Sequence, residues 1–194
     1  MIDLRIEDLF NGLSGEKELR YPADSPNHHG RGEDADVSKV VYDSRNLTPG
    51  GRGEMFACVK GERSDGRDFA RAAVEAGCAA LLCERAIDGE WVKVPQIITA
   101  NARASMGEAA AVLLGRPSER MIMIGLTGTN GKTTTSFVTR SIMRASGLVA
   151  GMIGTIVYDD GRSEREASRT TPEGPDVQAV LAAMVRNGAR CCVM

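Results

Sequence analysis

The chain has 194 residues and a nearly balanced charge, with 24 Lys and Arg against 26 Asp and Glu. A length of this order accommodates one large domain or two small ones. No long basic run is present, which argues against a nucleic-acid partner or a membrane-binding stripe, and no segment reaches the roughly 18 uninterrupted apolar residues of a transmembrane helix.

The N-terminal region is predicted to contain a short helix followed by a long surface loop. The first ten residues mix acidic and apolar side chains at helical spacing, unlike a signal peptide, so we expect a cytoplasmic protein. The polar stretch from Ser14 to Asp36 predicts the loop. Its adjacent His28 and His29 could bind a metal, but no Cys or carboxylate at ligand spacing accompanies them, and we interpret them as solvated loop residues.

The segment that follows alternates between strand and helix patterns. It predicts strands over residues 37–42, 54–59, 78–83 and 96–99, and a helix over 68–76 that ends at Gly77. We therefore predict a small mixed α/β N-terminal domain over residues 1–100. The five cysteines include no C-x-x-C pair, and most lie in apolar runs, so they are interpreted as reduced core residues.

A second domain is predicted over residues 101–194. Its first element is a helix from about Asn101 that places Met106, Ala110 and Leu113 on one face. An apolar run over 121–126 then fits a buried parallel strand.

The remaining elements of this domain continue the alternation. A helix over 133–146 is expected to bury a stripe of Val138, Ile142 and Ala145, and strands over 148–153 and 191–194 flank a helix over 175–187. This pattern predicts a parallel α/β sheet. Its last strand reaches the C-terminus without a following helix, so we expect the domain to be incomplete.

The most informative segment is a glycine-rich loop between the 121–126 strand and the following helix. Gly125, Gly128 and Gly131 are followed directly by Lys132 and Thr133. In this context glycines let backbone N–H groups point at phosphate oxygens, and the helix N-terminus adds a partial positive charge. The segment thus predicts a phosphate-binding loop for ATP or GTP, in which Lys132 reaches the β and γ phosphates and the Thr133 hydroxyl binds Mg²⁺.

The loop departs from the strict phosphate-loop pattern at one position, and two other interpretations of it are less favourable. The strict pattern G-x-x-x-x-G-K-[ST] requires glycine at position 126, where the chain has Leu126. A dinucleotide fingerprint has a different glycine spacing and no lysine directly after it. A simple glycine-rich turn from strand to helix would not require Lys-Thr at the helix start.

The loop variant resembles that of the Mur ligase and folylpolyglutamate synthetase superfamily, whose members join an amino acid to a carboxylate through an acyl phosphate. Three further segments are similar to the tripeptide synthetases of the Mur ligase family: Tyr42-Asp-Ser-Arg45, Val59-Lys-Gly61 with Asp65-Gly66, and Thr170-Thr-Pro-Glu173. The resemblance covers nearly everything from Val37 onward. Arg169 stands where asparagine is common, and the turn over 49–53 is longer than usual.

The resemblance implies specific site residues. The nucleotide would be bound by the loop residues Gly128, Thr129, Asn130, Gly131, Lys132, Thr133 and Thr134, with Lys132 and Thr133 catalytic. Ser44 would bind the uridine diphosphate part of the substrate, and Thr170 and Thr171 its muramoyl dipeptide. Taken alone, the Asp-Ser-Arg triplet also fits turn chemistry, and Thr171 before Pro172 and Glu173 also fits a helix start.

The function implied by the resemblance is an ATP- and Mg²⁺-dependent ligase of peptidoglycan synthesis. It would add diaminopimelate or lysine to UDP-N-acetylmuramoyl-L-alanyl-D-glutamate. The resemblance implies an N-terminal UDP-binding domain and a truncated ATP-binding domain. We expect this chain to lack the family's C-terminal amino-acid-binding domain and to be inactive alone.

Two alternatives remain open. One is another ligase of the superfamily, such as a different Mur ligase or a folylpolyglutamate synthetase-like enzyme. The other is a non-catalytic P-loop module, which would need neither the Asp-Ser-Arg nor the Thr-Thr segment.

Overall fold

The fold divides into two compact units, Met1–Leu113 and Leu114–Met194. The computed structural model describes residues 3–22, 36–51, 53–61, 64–167 and 172–194. No helix among these residues is long and apolar enough to cross a membrane.

The first unit is a mixed α/β domain, as the sequence predicts, and its sheet has helices on both faces. Its described strands and α-helices are β1 (Leu4–Arg5), α1 (Ile6–Gly12), β2 (Lys17–Arg20), β3 (Asp36–Val37), β4 (Lys39–Val41), β5 (Glu54–Ala57), α2 (Ala70–Glu75), β6 (Ala80–Cys83), β7 (Gln96–Thr99) and α3 (Ala102–Leu113). The sheet has the order β2-β7-β6-β5-β4. Strands β4 to β7 are parallel, β2 is antiparallel to β7, and β1 pairs separately with β3.

Alternation along the parallel strands builds two apolar layers. On β5, Met55 and Ala57 face the layer that holds α1 and α3, whereas Phe56 faces the layer that holds α2. Successive strand residues point to opposite faces, and a strand covered on both sides is apolar throughout. The parallel strands are therefore buried along their length.

Two boundaries in this unit differ from the sequence prediction. The predicted strand over 37–42 is divided at Ser38, because the N–H groups of Ser38 and Lys39 both donate to the Gly53 carbonyl, at 2.8 and 3.2 Å. The predicted loop from Ser14 to Asp36 contains the strand β2, which pairs with β7. His28 and His29 lie outside the described residues.

Helix α3 belongs to the first unit, whereas the sequence pattern assigned it to the second. Met106, Ala109 and Leu113 are buried in the same core as residues of β4 to β7. Asn101 directly precedes the helix and its side-chain oxygen accepts from the Ala104 N–H at 2.9 Å, so the local start signal is as expected. The division of the chain therefore follows Leu113 and not residue 100, because the apolar face of α3 covers the first sheet.

The second unit has a five-stranded sheet within the described residues. Its strands and α-helices are β8 (Ile122–Ile124), α4 (Lys132–Ala145), β9 (Ala150–Ile153), β10 (Val157–Asp159), β11 (Glu164–Glu166), α5 (Gly174–Arg186) and β12 (Cys191–Val193). The order is β11-β10-β9-β12-β8. One apolar cluster joins α5 to the sheet and another joins α4 to it.

The sheet of this unit is mixed, which corrects the prediction of a parallel sheet. Strands β8, β12 and β9 are parallel, as expected. The polar excursion after β9 forms the antiparallel strands β10 and β11. Asp160 closes their turn, since its carboxylate accepts from the N–H groups of Arg162 and Ser163 at 2.9 and 2.8 Å.

The buried face of α4 also differs from the prediction. Val138 and Ile142 are 52% and 59% exposed, so the predicted stripe faces away from the sheet, and Ala145 is exposed too. The face toward the sheet carries Ser136 and Arg140, which are buried. Phe137 and Met143 complete its contact with the sheet.

The five cysteines are free and buried, as predicted. Burial raises the pKa of Cys78 and of Cys192 to about 12. A thiol with so high a pKa carries little thiolate at neutral pH and is chemically inert.

Candidate functional site

The glycine-rich loop lies between the carboxyl end of β8 and the first residue of α4. Gly131 precedes the helix with a φ of +78°, a left-handed conformation that favours glycine. Gly128 has a φ of +156°. Ligands of open α/β sheets bind outside the carboxyl ends of the strands, and this loop lies at that position.

The backbone at this helix start is suited to an anion. The Thr135 N–H donates to the Gly131 carbonyl at 2.9 Å. The N–H groups of the residues before it precede the helical hydrogen-bond pattern, as at every helix start. Such groups and the partial positive charge of the helix bind phosphate oxygens.

Lys132 is the first residue of α4, and its side chain is exposed above the loop. Its ammonium donates to the carbonyl oxygen of Gly128, so the charge lies over the glycine-rich turn. The side chains of Thr129, Asn130 and Thr134 are also exposed. The structure therefore brings the predicted nucleotide residues, Gly128 to Thr134, together in one continuous loop and helix start.

Thr133 is half-buried and lines a cavity of about 340 Å³ beside the loop. No group of three or more His, Cys, Asp or Glu side chains that could hold a metal occurs in the described part of the chain. A hydroxyl at this place fits Mg²⁺, which usually keeps several waters and takes phosphate oxygens as ligands. The Thr133 hydroxyl is therefore the group of this site that could take part in holding a nucleotide-bound Mg²⁺.

The cavity lies between α4 and the carboxyl ends of the parallel strands. Its polar side chains are those of Lys132, Thr133, Ser136 and Thr155. Most of its other side chains are apolar, among them Phe137, Met152, Ile156 and Val177. Sequence analysis did not select these residues, because apolar side chains near a helix or strand end look like ordinary core.

An ionic network centred on the buried Arg140 and Asp159 joins α4 to the β10–β11 hairpin. The Arg140 guanidinium donates to the Asp159 carboxylate and, at 2.8 Å, to Glu164. Arg144 donates to the same Asp159 oxygen at 2.5 Å and to the Ala150 carbonyl at 2.9 Å. These contacts explain why a charged residue occupies the inner face of the helix that carries Lys132.

Ser44 lies in the first unit, directly after β4, and is half-buried. Asp43 caps the short turn Ser44–Asn46 by accepting from the Arg45 N–H at 3.0 Å. The Arg45 side chain donates to both Asp43 oxygens, at 2.9 and 2.6 Å, and these hydrogen bonds raise the pKa of Arg45. The Asp-Ser-Arg triplet therefore forms a hydrogen-bonded turn, which its sequence also fits, and the role of Ser44 in binding UDP stays a prediction.

The other predicted substrate residues, Thr170 and Thr171, lie outside the described residues. Pro172 and Glu173, which complete that segment, directly precede α5. Pro172 also lines the cavity beside the loop.

Comparison with protein families gives two matches that together span most of the chain. Residues 36–116 match the Mur ligase family, catalytic domain, and residues 126–194 match the Mur ligase middle domain. The chain belongs to the Mur ligase family. The resemblance stated for the sequence is thereby confirmed.

Individual Mur ligases agree with this assignment. The UDP-N-acetylmuramyl-tripeptide synthetase of Deinococcus radiodurans is 37% identical over 194 residues, which cover 98% of this chain and 37% of that protein. The chain thus spans little more than a third of the length of this relative.

Solved Mur ligase structures share the fold. A UDP-N-acetylmuramoyl-L-alanyl-D-glutamate–2,6-diaminopimelate ligase has a TM-score of 0.67 at 20% identity, over 99% of this chain and 36% of the other. MurF ligase from Thermotoga maritima, solved in complex with ADP, has a TM-score of 0.51 at 22% identity, over 81% and 31%.

Proposed function

We propose that this chain supplies the nucleotide-binding loop of an ATP-dependent ligase of peptidoglycan precursor synthesis. The proposed reaction adds the third amino acid, diaminopimelate or lysine, to UDP-N-acetylmuramoyl-L-alanyl-D-glutamate. The observation that carries the proposal is the loop from Gly128 to Thr134, which places Lys132 and a helix N-terminus at the carboxyl end of a parallel sheet. A MurF ligase of similar fold was solved in complex with ADP, which supports the proposal that this chain binds a nucleotide.

The proposed mechanism is mainly one of positioning and charge neutralisation. The substrate carboxylate would attack the γ-phosphate of ATP and release ADP. The amine of the incoming amino acid would then attack the acyl phosphate, lose a proton and release inorganic phosphate. Lys132 would stabilise the negative charge on the transferring phosphoryl group, and the backbone from Gly128 to Thr134 would orient the triphosphate. Mg²⁺, held in part by the Thr133 hydroxyl, would supply further charge neutralisation.

Three further residues are proposed to bind parts of the acceptor substrate. Ser44 would contact the uridine diphosphate, and Thr170 and Thr171 the muramoyl dipeptide. Free, buried cysteines suit the reducing cytoplasm, where disulfides are rare, and a cytoplasmic location is part of the proposal.

The first experiment tests the nucleotide site. Calorimetric titration of the purified chain with Mg²⁺ and a non-hydrolysable ATP analogue is expected to show saturable binding, which Lys132→Ala weakens by at least about tenfold, or 1.4 kcal/mol. Arg162→Ala, which removes an exposed cation from the β10–β11 turn, is the matched control. Equal binding by Lys132→Ala and by the wild-type chain would refute the assignment of the loop.

The second experiment identifies the acceptor. A MurF ligase has a similar fold, so a different Mur ligase must be tested as an alternative. The chain is therefore titrated in parallel with the muramoyl dipeptide nucleotide, the muramoyl tripeptide nucleotide and a folate. We expect binding of the dipeptide, weakened by Ser44→Ala and by Thr170→Ala. Preference for the tripeptide nucleotide or the folate would assign the chain to a different ligase, and a nucleotide-dependent protein partner without any of these ligands would support a non-catalytic module.

A further inference from the structure

The starts of the three parallel strands of the second unit lie side by side and are surrounded by exposed basic residues. The Ile122 N–H of β8 donates to the Arg190 carbonyl at 2.9 Å, and Arg190 directly precedes β12. The Arg190 N–H donates to the Val149 carbonyl at 2.8 Å, and Val149 directly precedes β9. In the described part of the unit, four exposed arginines of this end form no ion pair: Arg120, Arg162, Arg186 and Arg190.

The β10–β11 turn and the end of α5 belong to the same surface. Strand β10 is antiparallel to β9, so the turn that follows β10 lies at the start of β9. The Asn187 side chain, directly after α5, donates to the Asp160 carbonyl of this turn at 3.1 Å. Gly161 lies so close to Val149 that an added Cβ would be 3.2 Å from a Val149 methyl group. The turn and the helix end, with their arginines, therefore join the strand starts in one surface, which we call the basic end.

The acidic residues near the basic end are already engaged. Glu119 pairs with Arg116 at 3.7 Å. The Asp160 carboxylate accepts from the backbone N–H groups of Arg162 and Ser163. None of the four arginine side chains forms a hydrogen bond or ion pair with another described residue. Their charge therefore faces solvent.

Helix ends explain only part of this cluster. The helix dipole stabilises a cation near a helix C-terminus, and Arg186 lies in the last turn of α5. Arg162 lies between two strands and Arg190 directly before one, so neither benefits in this way. Because the four arginines are far apart in the chain, they form no basic run, and only the fold brings them together.

Apolar side chains exposed among the arginines indicate the kind of partner. Ile122 is 54% exposed and Val149 is 41% exposed. An anionic phospholipid surface offers phosphates, which guanidinium groups bind with paired hydrogen bonds, and below them an apolar layer that takes up such side chains. A nucleic acid would favour aromatic side chains for base stacking. The aromatic side chains of residues 114–194, Phe137 and Tyr158, belong instead to the apolar clusters of the sheet.

We propose that the basic end is a docking surface for an anionic phospholipid membrane. The four arginines contact the lipid phosphates, and the two exposed apolar side chains reach the boundary of the acyl chains. A cluster of four lies within the range of about 4–8 Lys and Arg residues that is typical of such surfaces. The phosphate-binding loop follows the carboxyl end of β8, at the opposite end of the sheet, so it stays open to solvent when the basic end is bound.

The test is co-sedimentation of the purified chain with vesicles of phosphatidylglycerol and phosphatidylcholine in equal amounts. In about 0.1 M NaCl, where the Debye length is about 10 Å, we expect saturable binding. Pure phosphatidylcholine vesicles should bind at least about tenfold more weakly, since they lack the net charge that attracts the arginines. In about 1 M NaCl the Debye length falls to about 3 Å, and binding to the anionic vesicles should weaken by a similar factor.

A double variant tests the arginines. Arg120→Gln with Arg190→Gln should weaken binding to the anionic vesicles at least about tenfold, because each basic residue near such a surface contributes about fivefold. The matched control is Arg71→Gln with Arg85→Gln, which removes the same charge from exposed positions of the first unit. The control should bind within about twofold of the wild-type chain. Circular dichroism checks that each variant is folded.

A single variant tests the apolar contact at constant charge. Ile122→Ser should weaken binding at least about threefold, because it removes apolar surface that the membrane would cover. Val138→Ser is its control, since Val138 is 52% exposed on the outer face of α4, away from the basic end. Every variant should bind the ATP analogue as the wild-type chain does.

The outcomes separate the membrane from other partners and from the proposed ligase function. Equal binding to anionic and neutral vesicles, no binding by the folded chain, or equal binding by the arginine variant and its control would overturn the proposal. Tighter binding to duplex DNA than to the vesicles at equal phosphate concentration, or unchanged vesicle binding by Ile122→Ser, would also overturn it. Each of these results leaves the nucleotide and acceptor titrations to decide the ligase function independently.

Discussion

Glu54 keeps a carboxylate at an almost fully buried position on β5, with 6% of its surface exposed. Both of its oxygens are engaged, since the N–H and hydroxyl of Thr48 each donate to it at 3.0 Å and the Lys39 ammonium lies at 3.3 Å. Burial alone raises the pKa of Glu54, but these hydrogen bonds and the Lys39 charge outweigh it and hold the pKa below its ordinary value of 4.5. The residue thereby anchors the turn before β5.

This depressed pKa makes the contribution of Glu54 dependent on pH. The stabilisation is complete above the unfolded-state pKa near 4.5 and is lost as pH falls through the lower folded-state pKa. Glu54→Gln should therefore lower the free energy of unfolding by about 1–3 kcal/mol at pH 7. The difference from the wild-type chain should shrink below pH 4.5, as measured by urea unfolding at several pH values.

The control for this prediction is Glu75→Gln. Glu75 pairs with Arg71 at 2.9 Å, but both side chains are more than half exposed, and exposed pairs contribute at most about 1 kcal/mol. If the difference in unfolding free energy between Glu54→Gln and the wild-type chain is constant from pH 7 to pH 3.5, the Glu54 carboxylate does not stabilise the fold through its lowered pKa.

At the scale of elements, the orientation of α4 decides where Lys132 and Thr133 lie, because this helix carries both residues. Asp159 is 1% exposed and accepts hydrogen bonds from Arg140, Arg144 and, at 2.9 Å, the Gly161 N–H. Asp159→Asn would leave the buried Arg140 with Glu164 as its remaining carboxylate among the described residues. Breaking a buried pair in this way costs about 3–5 kcal/mol.

We therefore expect Asp159→Asn to lower the free energy of unfolding, measured with urea, by roughly 3–5 kcal/mol. Glu166→Gln, an exposed change of the same kind on β11, should stay within about 0.5 kcal/mol of the wild-type chain. A loss below about 1 kcal/mol for Asp159→Asn would mean that apolar packing by Phe137 and Met143 orients the helix without the network.

The same network shows why part of the site could be predicted from the sequence and part could not. The loop and its helix depend on local signals, and the helix lies at Lys132–Ala145 where residues 133–146 were expected. The buried face of that helix depends on partners that lie 19 and 24 residues further along the chain. A periodicity argument treats Arg140 as exposed and Val138 as buried, and both are reversed.

Helix α3 gives the corresponding case for domain assignment. Its bounds follow from its own residues, but the sheet it covers is determined by contacts with distant strands, so sequence analysis placed it in the second domain. The cavity beside Lys132 is non-local as well, because α4, the segment from Met152 to Val157 and the start of α5 form its walls together.

At the scale of the whole molecule, both units follow one architectural rule. Each has parallel strands covered by helices on both faces, and each predicted ligand residue described here follows the carboxyl end of a parallel strand: Ser44 after β4, and the loop after β8. Backbone groups and side chains beyond those strand ends do not form the hydrogen bonds of the sheet, so they can bind a ligand. The two predicted binding functions therefore have equivalent places in two separate sheets.

Nucleotide binding at the second of these places should stabilise the fold that contains it. A ligand that binds only the native state stabilises by RT ln(1 + [L]/Kd), about 2.7 kcal/mol at a concentration 100 times its Kd. For a unit of this size, each kcal/mol raises Tm by roughly 4–8 °C. The ATP analogue with Mg²⁺ should therefore raise the melting temperature of residues 114–194. The melting temperature is measured by the near-ultraviolet circular dichroism of Tyr158, in a chain whose other Trp and Tyr residues are replaced by Phe.

Lys132→Ala should abolish most of the shift and Arg162→Ala should retain it, because only the first substitution removes a charge from the phosphate loop. A shift of equal size in both variants would mean that the analogue stabilises the chain from a different site.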